Sequence, residues 1–444
     1  MMKPPVLLLL LLCTFAHSQS YMGLFTDNYS GTHSLLHNPG NLADSRVKWE
    51  FNLVGLHMDI ATDYTSLGLS DITTLLGDEG FDGLERFPTN QNNFLLDVDV
   101  LGPSVMLSLN EKSGIALLTR VRAISNFNNL NGALFESIYD GFPLDSYSFS
   151  QDNLDFTTHA WAEVGLSYGR VLLARPNHML KGGATIKYLL GGGGVQGSSQ
   201  TLNGNFDAAA GQVALNGDFS YALTIDEEGT ADEYFQDLAP GLGADIGFVY
   251  EYRDRRSLEA SNANNPRAFN QYRFKVGLSI VDIGSINYKD TENSAYAANL
   301  TTNAQDLEND FITALDVNTT AITTTGDTVF KLPTSLHLNL DYSFTPKVYL
   351  NLNINQGLVG QDTFFANSRL NLITLTPRYE SRIFGAYLPI SHSSLSKTAV
   401  GLGFRLGPLS VGSGSLITNL MGESSQLANV FVGLKIPVYH KRKI

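Results

Sequence analysis

From Tyr272 onward the chain alternates: Phe274, Val276, Leu278 and Ile280 fall on one face with Tyr272, while Arg273, Lys275, Gly277 and Ser279 fall on the other. A period of two predicts a β-strand with one apolar face. The same split sets Leu336, Leu338, Leu340, Tyr342 and Phe344 against Ser335, His337, Asn339, Asp341 and Ser343. It returns in Val348, Leu350, Leu352 and Ile354 against Tyr349, Asn351, Asn353 and Asn355, and again in residues 242–252, 400–406 and 430–438. Several of these segments reach the ~10 residues that a tilted membrane strand needs, where ordinary strands average about 5–6. No stretch after the leader approaches the ~20 consecutive apolar residues of a spanning helix, so only a closed barrel could cross a membrane.

Connections sharpen this reading. Short ones fall at 111–113, 174–176, 345–346, 380–381 and 407–408, and long ones at 58–92, 126–155, 191–213, 254–270 and 291–332. Tight turns on one rim and long loops on the other are the outer-membrane arrangement. If Asp282-Ile283-Gly284 is a tight turn, the alternation runs from Val47 to Val438 with sixteen strands and both termini on the short-turn, periplasmic side. Two steps strain that count, an acidic stretch at 226–238 in a short-turn position and a brief strand at 285–289; without both, fourteen strands remain. The expected fold is therefore all-β, a transmembrane antiparallel barrel of 14–16 strands.

Composition agrees, with 43% hydrophobic but only 16% charged residues, against about 25% charged in soluble domains. With 29 Lys+Arg against 43 Asp+Glu the net charge is −14, which leaves no basic surface for nucleic acid. At the N-terminus, Lys3, the apolar run 6–14 and Ala16-His17-Ser18 before Gln19 form an export signal, so residues 1–18 are expected to be removed. Cys13, the only cysteine, lies inside that signal behind Leu12, where lipoprotein signals carry Gly or Ala. The mature chain then has neither a disulfide nor thiolate chemistry.

Residues 19–46 precede the first strand and are expected to form a hatch or plug in the lumen, the alternative being a strap across the barrel mouth. Asn38, Pro39 and Gly40 would fix its turn. The barrel follows over 47–438, with a basic periplasmic tail at 439–444. Asp97, Asp99, Arg120, Arg122, Glu163, Lys187, Asp245, Arg273, Lys275 and Asp341 stand on the polar phase of the strands and would line the lumen as cross-strand pairs. Gly102-Pro103 would kink the second strand and open a lateral gap, since proline removes a ladder donor.

Other constellations favour bland readings. His33 and His37 share a helical spacing but lack a third ligand, and Asp71, Asp78, Glu79, Asp82 and Glu85 fit no calcium-loop spacing. Gly191–Gly194 reads as a flexible rim loop without a phosphate-binding lysine. Ser391 and His392 would point to opposite faces of a strand and cannot act as nucleophile and base. Neither an enzyme nor a cofactor is expected.

Ordered stretches carry a resemblance. The run from Tyr21 to Gly31 with Leu36-His37-Asn38-Pro39-Gly40-Asn41 resembles the start of an uncharacterised family of Bacteroidota outer-membrane barrels. So do residues 241–247, 277–285, 332–336, 376–380, 388–391 and 406–409, in order along the chain. More distantly, the Asn-Pro element before the first strand resembles the hatch of long-chain fatty acid transporters and of type IX secretion barrels, which implies fourteen strands. Members of the close family often continue into a peptidoglycan-binding domain; this chain ends at Ile444, so wall anchoring by that route is not expected. The resemblance implies a plugged outer-membrane channel or transporter for hydrophobic or small amphipathic solutes. The alternative is a structural or interaction barrel supporting surface display or protein secretion. The expected partners are outer-membrane lipid, a hydrophobic solute and envelope proteins.

Overall fold

A computed structural model describes residues 21–68, 71, 80–224, 238–254, 266–268, 270–360, 363–421 and 425–440. The leader at 1–18, the acidic residues Asp78 and Glu79, and the tail at 441–444 lie outside them.

Fourteen antiparallel strands form one closed wall. They are β1 (Val47–Thr62), β2 (Asn92–Leu101 and Ser104–Ser108), β3 (Ser113–Leu130), β4 (Tyr147–Arg175), β5 (His178–Asp207), β6 (Gln212–Leu223 and Ala239–Tyr252) and β7 (Phe274–Ala297). The circuit continues through β8 (Ile322–Lys331 and Ser335–Thr345), β9 (Val348–Gly357), β10 (Leu372–Glu380), β11 (Phe384–Tyr387 and Ile390–Ser393), β12 (Lys397–Val400 and Leu402–Leu406), β13 (Leu409–Ser413) and β14 (Leu427–Tyr439). Pairing of β1 with β14, from Val47 opposite Tyr439 to Ala61 opposite Leu427, closes the barrel and leaves no free edge. Prolines sit at three of the strand breaks, Pro103 in β2, Pro333 in β8 and Pro389 in β11, where the missing N–H costs least.

The sixteen-strand count fails at two places. Asp282-Ile283-Gly284 is not a turn, because β7 runs straight through it as one 24-residue strand. Asp282 has a φ of 58°, and the register with β6 slips between Ala244 and Ile246, leaving an extra residue on β7. This is a β-bulge, whose local sequence imitates a turn. Nor do residues 224–238 join two strands: both pieces of β6 pair with β5 and with β7, so the segment interrupts a single strand. Removing both turns leaves fourteen strands. It also moves the connection between Tyr252 and Phe274 to the short-turn rim, where the alternation of loops had placed a tight turn. Gly191–Gly194 is likewise no rim loop but the middle of β5, a 30-residue strand that turns back only at residues 208–211.

Above the wall, the upper parts of β4 to β7 rise as an extension with its own core. Phe149, Leu202, Phe206, Leu215, Phe219 and Leu300 fill it beneath the helices Gly132–Tyr139, Ala304–Asn309 and Phe311–Asn318.

Around the barrel the outward face is apolar and bare: Leu166 is 54% exposed, Ile186 70% and Leu242 69%. Charged side chains such as Arg122, Arg405 and Lys435 are buried inside. This inverts the usual arrangement, and an apolar belt of such extent is stable only against lipid. Among the described residues no helix is long and apolar enough to cross a membrane.

Depth in the belt should govern tolerance to charge. Ile186→Arg, mid-belt, is expected to destabilise the folded barrel by ~2–4 kcal/mol, and Leu109→Arg, in the short turn after β2, by ~0–1 kcal/mol. Urea titration of the heat-modifiable folded form in vesicles measures both, and equal losses would refute the assigned belt.

Candidate functional site: the filled lumen

Three layers occupy the lumen. Nearest the short-turn rim lies the N-terminal segment 21–46, wound into the turns Leu24–Thr26, Thr32–Leu35 and Pro39–Leu42. Asn38 caps the last of these, its side chain accepting from the Gly40 N–H at 2.9 Å, with Pro39 in the first helical position. The Asn38 Nδ2 donates to the carbonyls of Phe248 on β6, at 3.1 Å, and Leu278 on β7, at 3.3 Å. Wall glycines make this approach feasible: a Cβ at Gly183 would meet the Pro39 carbonyl oxygen at 2.3 Å, and one at Gly247 the Asn38 Oδ1 at 2.2 Å.

Charged and polar contacts seat the segment. Asp27 pairs with Arg405 Nε of β12 at 2.9 Å and accepts from the Tyr387 hydroxyl of β11. Asn28 bonds Glu380 of β10. Thr32 donates twice to Glu50 Oε1 of β1, at 2.8 Å each from its N–H and its hydroxyl. Lys435 of β14 donates to the carbonyls of Tyr29 and Ser30 and pairs with Glu50 at 2.9 Å. Two cavities between segment and wall have volumes of about 20 and 40 Å³, room for one to a few waters. His33 and His37 are not brought together. His37 Nδ1 lies 3.0 Å from His337 Nδ1 of β8, whereas His33 faces the Tyr21 ring, with centroids 4.9 Å apart. Burial disfavours a charged His33 and lowers its pKa to about 3.

The second layer is ionic. Asp99 binds Arg120 through two bonds, one of them 2.7 Å, and Arg120 reaches Glu163 at 3.3 Å. Lys187 sits between Asp245, at 2.8 Å, and Asp282, at 2.7 Å. The bulge in β7 turns Asp282 into the lumen, where its other oxygen takes Arg122 at 2.8 Å and Arg369 at 3.2 Å. Asp245 in return accepts the Asp282 N–H at 2.8 Å. Arg122 also lies 4.7 Å over the Trp161 ring and 3.9 Å from Asp97. Lower in the lumen Asp341 takes Arg378 at 2.7 Å and Lys275 at 3.5 Å.

Arg273 departs from the expected row. The strand begins at Phe274, and just before it the backbone turns, so Tyr272 is the buried inward residue and bonds Asp341. Arg273 lies over the outward Tyr342 ring at 4.7 Å. Sequence reading also missed Asp282 and Arg369, disguised as turn and loop residues, and passed over Glu50, Arg378, Arg405 and Lys435, although each sits on the polar phase of its strand.

The third layer is apolar: Trp161, Leu189, Ile286, Tyr288, Phe330 and Leu332 pack together inside the wall. The connection after β9 folds down onto it. Asn367, fully buried, donates to the carbonyls of Ile124 on β3, at 3.1 Å, and Thr157 on β4, at 2.8 Å, and the Phe365 N–H bonds Gln196 of β5 at 2.7 Å.

The kink at Gly102-Pro103 exists, but the wall around it stays bonded. The Gly102 N–H reaches the Thr119 carbonyl at 2.8 Å, Asn52 Nδ2 donates to the Gly102 carbonyl at 2.9 Å, and the Thr119 hydroxyl donates to the Pro103 carbonyl at 3.0 Å. It is a bulge, not a lateral gap. Ser391 points inward and His392 outward, where it bonds the Thr398 hydroxyl. In the first long loop Asp71 caps the Gly68 N–H at 2.7 Å, Asp82 pairs with Arg86 at 3.4 Å, and Glu85 lends its carbonyl to Thr65. Among the described residues no three His, Cys, Asp or Glu side chains are grouped to hold a metal.

Asp282 joins more cations than any other carboxylate in the network. Asp282→Asn keeps a residue that tolerates positive φ but leaves Lys187, Arg122 and Arg369 without their shared charge, and should cost ~3–5 kcal/mol in urea titration of the folded barrel. A second prediction concerns pH. Because His33 is held neutral when seated, seating is undisturbed above its free pKa of ~6.5 and weakens as pH falls below it, by ~1.4 kcal/mol per unit, down to about 3. Hydrogen exchange of residues 21–46 between pH 7.5 and 5 reads this, and His33→Gln should reduce the slope by one proton.

Comparison with known proteins places the chain by family. It resembles solved structures at low identity: the P. putida toluene transporter TodX (11% identity, TM-score 0.45, covering 93% of this chain and 95% of that one) and the Ralstonia pickettii toluene transporter TbuX (12%, 0.44, 93% and 95%). A Pseudomonas aeruginosa FadL homologue gives 9% identity and a TM-score of 0.42, over 95% of this chain and 99% of that one. None of the curated proteins matches the sequence. The match that spans residues 39–414 is to a family of unknown function, DUF5723, and the chain belongs to that family.

Proposed function

We propose that this protein is an outer-membrane channel, inserted after loss of its leader, whose N-terminal hatch at 19–46 gates the passage of hydrophobic or small amphipathic solutes. The observation that carries the reading is the manner of seating. The segment takes no part in the strand ladder and meets the wall through side-chain contacts: buried polar ones of Asp27 with Arg405, Thr32 with Glu50 and Lys435 with the Tyr29 and Ser30 carbonyls, beside apolar ones at Tyr21, Met22, Leu24, Leu35 and Leu42, so it can leave without opening a strand pair.

The solute class is supported by the apolar layer above it. That layer stands beside the interruption of β6, where Gly191 of β5 still pairs with Ala239 and Val195 with Leu223. Between those pairs the wall is bridged by Thr224 to Gly194 and by the Tyr288 hydroxyl accepting from the Gly193 N–H at 3.1 Å. Apolar side chains gathered inside the wall suit a hydrophobic ligand. The extension above β4–β7 favours a second reading, since a separately cored platform suits an envelope partner in surface display or secretion.

Deleting Tyr21 to Leu42 tests the first reading. In planar bilayers the intact barrel should stay nearly closed, the truncated one should conduct, and Asn38→Ala with Pro39→Ala should lie between. Equal conductance of intact and truncated protein would sink the gated channel.

A further inference from the structure

The two rims differ in charge. Around the short-turn rim Lys48, Lys112, Arg170, Arg175, Lys347 and Arg382 are all exposed, and none of them forms a salt bridge among the described residues. Glu111 is the exposed acid beside them, whereas the long-loop end carries many, among them Asp82, Asp140, Asp145, Asp207, Asp306 and Asp310. Of the cations there, Arg86 pairs with Asp82 and Asp140 and Lys289 with Asp327, while the exposed Lys397 forms no salt bridge among the described residues.

The free cations sit directly beyond the belt. Arg170 follows Val164, Leu166 and Tyr168 on the outward face of β4. It lies opposite Ser113, and the next residue, Val171, bonds the Lys112 carbonyl at 2.7 Å, so Lys112 and Arg170 are neighbours across β3 and β4. Arg175 closes the same strand, and Lys48 occupies the register slip beside the exposed Trp49 at the base of β1. Exposed Tyr168, Tyr252, Tyr342, Tyr379 and Phe384 ring the same height. Aromatic side chains at one level with free cations just outside it match a headgroup layer, with rings at the glycerol level and cations among the phosphates.

We propose that the short-turn rim over β1–β4 binds anionic phospholipid, with Lys48, Lys112, Arg170 and Arg175 holding headgroup phosphates. Long flexible stems let the neighbours Lys112 and Arg170 reach one headgroup phosphate, with Lys48 and Arg175 available to adjacent headgroups, and guanidinium matches phosphate oxygens in bidentate fashion. A second, weaker arc is formed by Lys347 and Arg382. The acidic opposite rim repels the same headgroups, so the asymmetry also fixes which leaflet meets which end. This inference rests on membrane insertion and is independent of transport.

The test uses the full mature chain in phosphatidylcholine vesicles doped with spin-labelled phosphatidylglycerol or spin-labelled phosphatidylcholine, comparing the immobilised fraction of each label. The wild type should prefer phosphatidylglycerol several-fold at low salt, with the preference falling as salt screens it. Lys112→Gln with Arg170→Gln and Arg175→Gln should bring the ratio close to one. Lys289→Gln with Lys397→Gln, on the other rim, should leave it unchanged. A wild-type ratio of one, or equal loss in both variants, overturns the proposal while leaving the barrel intact. Failure to insert at all overturns the membrane reading and this inference with it. Should the triple variant not fold, Arg170→Gln alone and the salt titration of the wild type give the same decision.

Discussion

Everything inside this barrel answers to one constraint: a charge sealed away from water must find an opposite charge. Fourteen strands enclose more space than their own side chains can fill, and the inward phase of those strands is studded with carboxylates and cations. Desolvating one such group alone is far costlier than desolvating it beside a partner. The lumen is accordingly built as a lattice of pairs, and whatever enters it must present complementary groups. The N-terminal segment does so with Asp27, Thr32 and its own backbone carbonyls, and the connection after β9 does so with Arg369 and Asn367.

Irregularities in the wall place the members of that lattice. A uniform β7 would not bring Asp282 to the point where Lys187, Arg122 and Arg369 meet. The bulge does, and Asp245 on the neighbouring strand secures it by accepting its freed N–H. The proline breaks work differently. At Gly102-Pro103 the lost ladder bonds are replaced by Asn52 and Thr119 side chains, which keeps the wall tight where the strand bends.

The layers divide the work of closure. Polar contacts near the short-turn rim fix position, because each hydrogen bond has a direction. The ionic layer fills the middle of the lumen with paired charges. The apolar layer above is indifferent to charge and complements hydrophobic surface. A water-sized gap remains along the seam between the segment and β6–β9.

By itself the sequence determined the barrel, because period-two alternation is a local property: Leu338 and Asn339, or Leu352 and Asn353, declare their faces without reference to any other strand. It also set Asp97, Asp99, Arg120 and Arg122 on the polar phase of their strands, the phase that is buried inside the wall. What it left undecided depends on distant partners. Whether Asp282-Ile283-Gly284 turns or bulges is settled by β6 and β8 on either side, not by the tripeptide, and so only the tertiary structure yields fourteen strands and the hub at Asp282. The same holds for Arg273, whose direction follows from where the backbone enters the wall, and for Arg369, which gains its partners because a surface connection folds inward. Alternation is written residue by residue; pairing across a lumen is written by residues that are far apart in the chain, and only the closed wall brings them within reach.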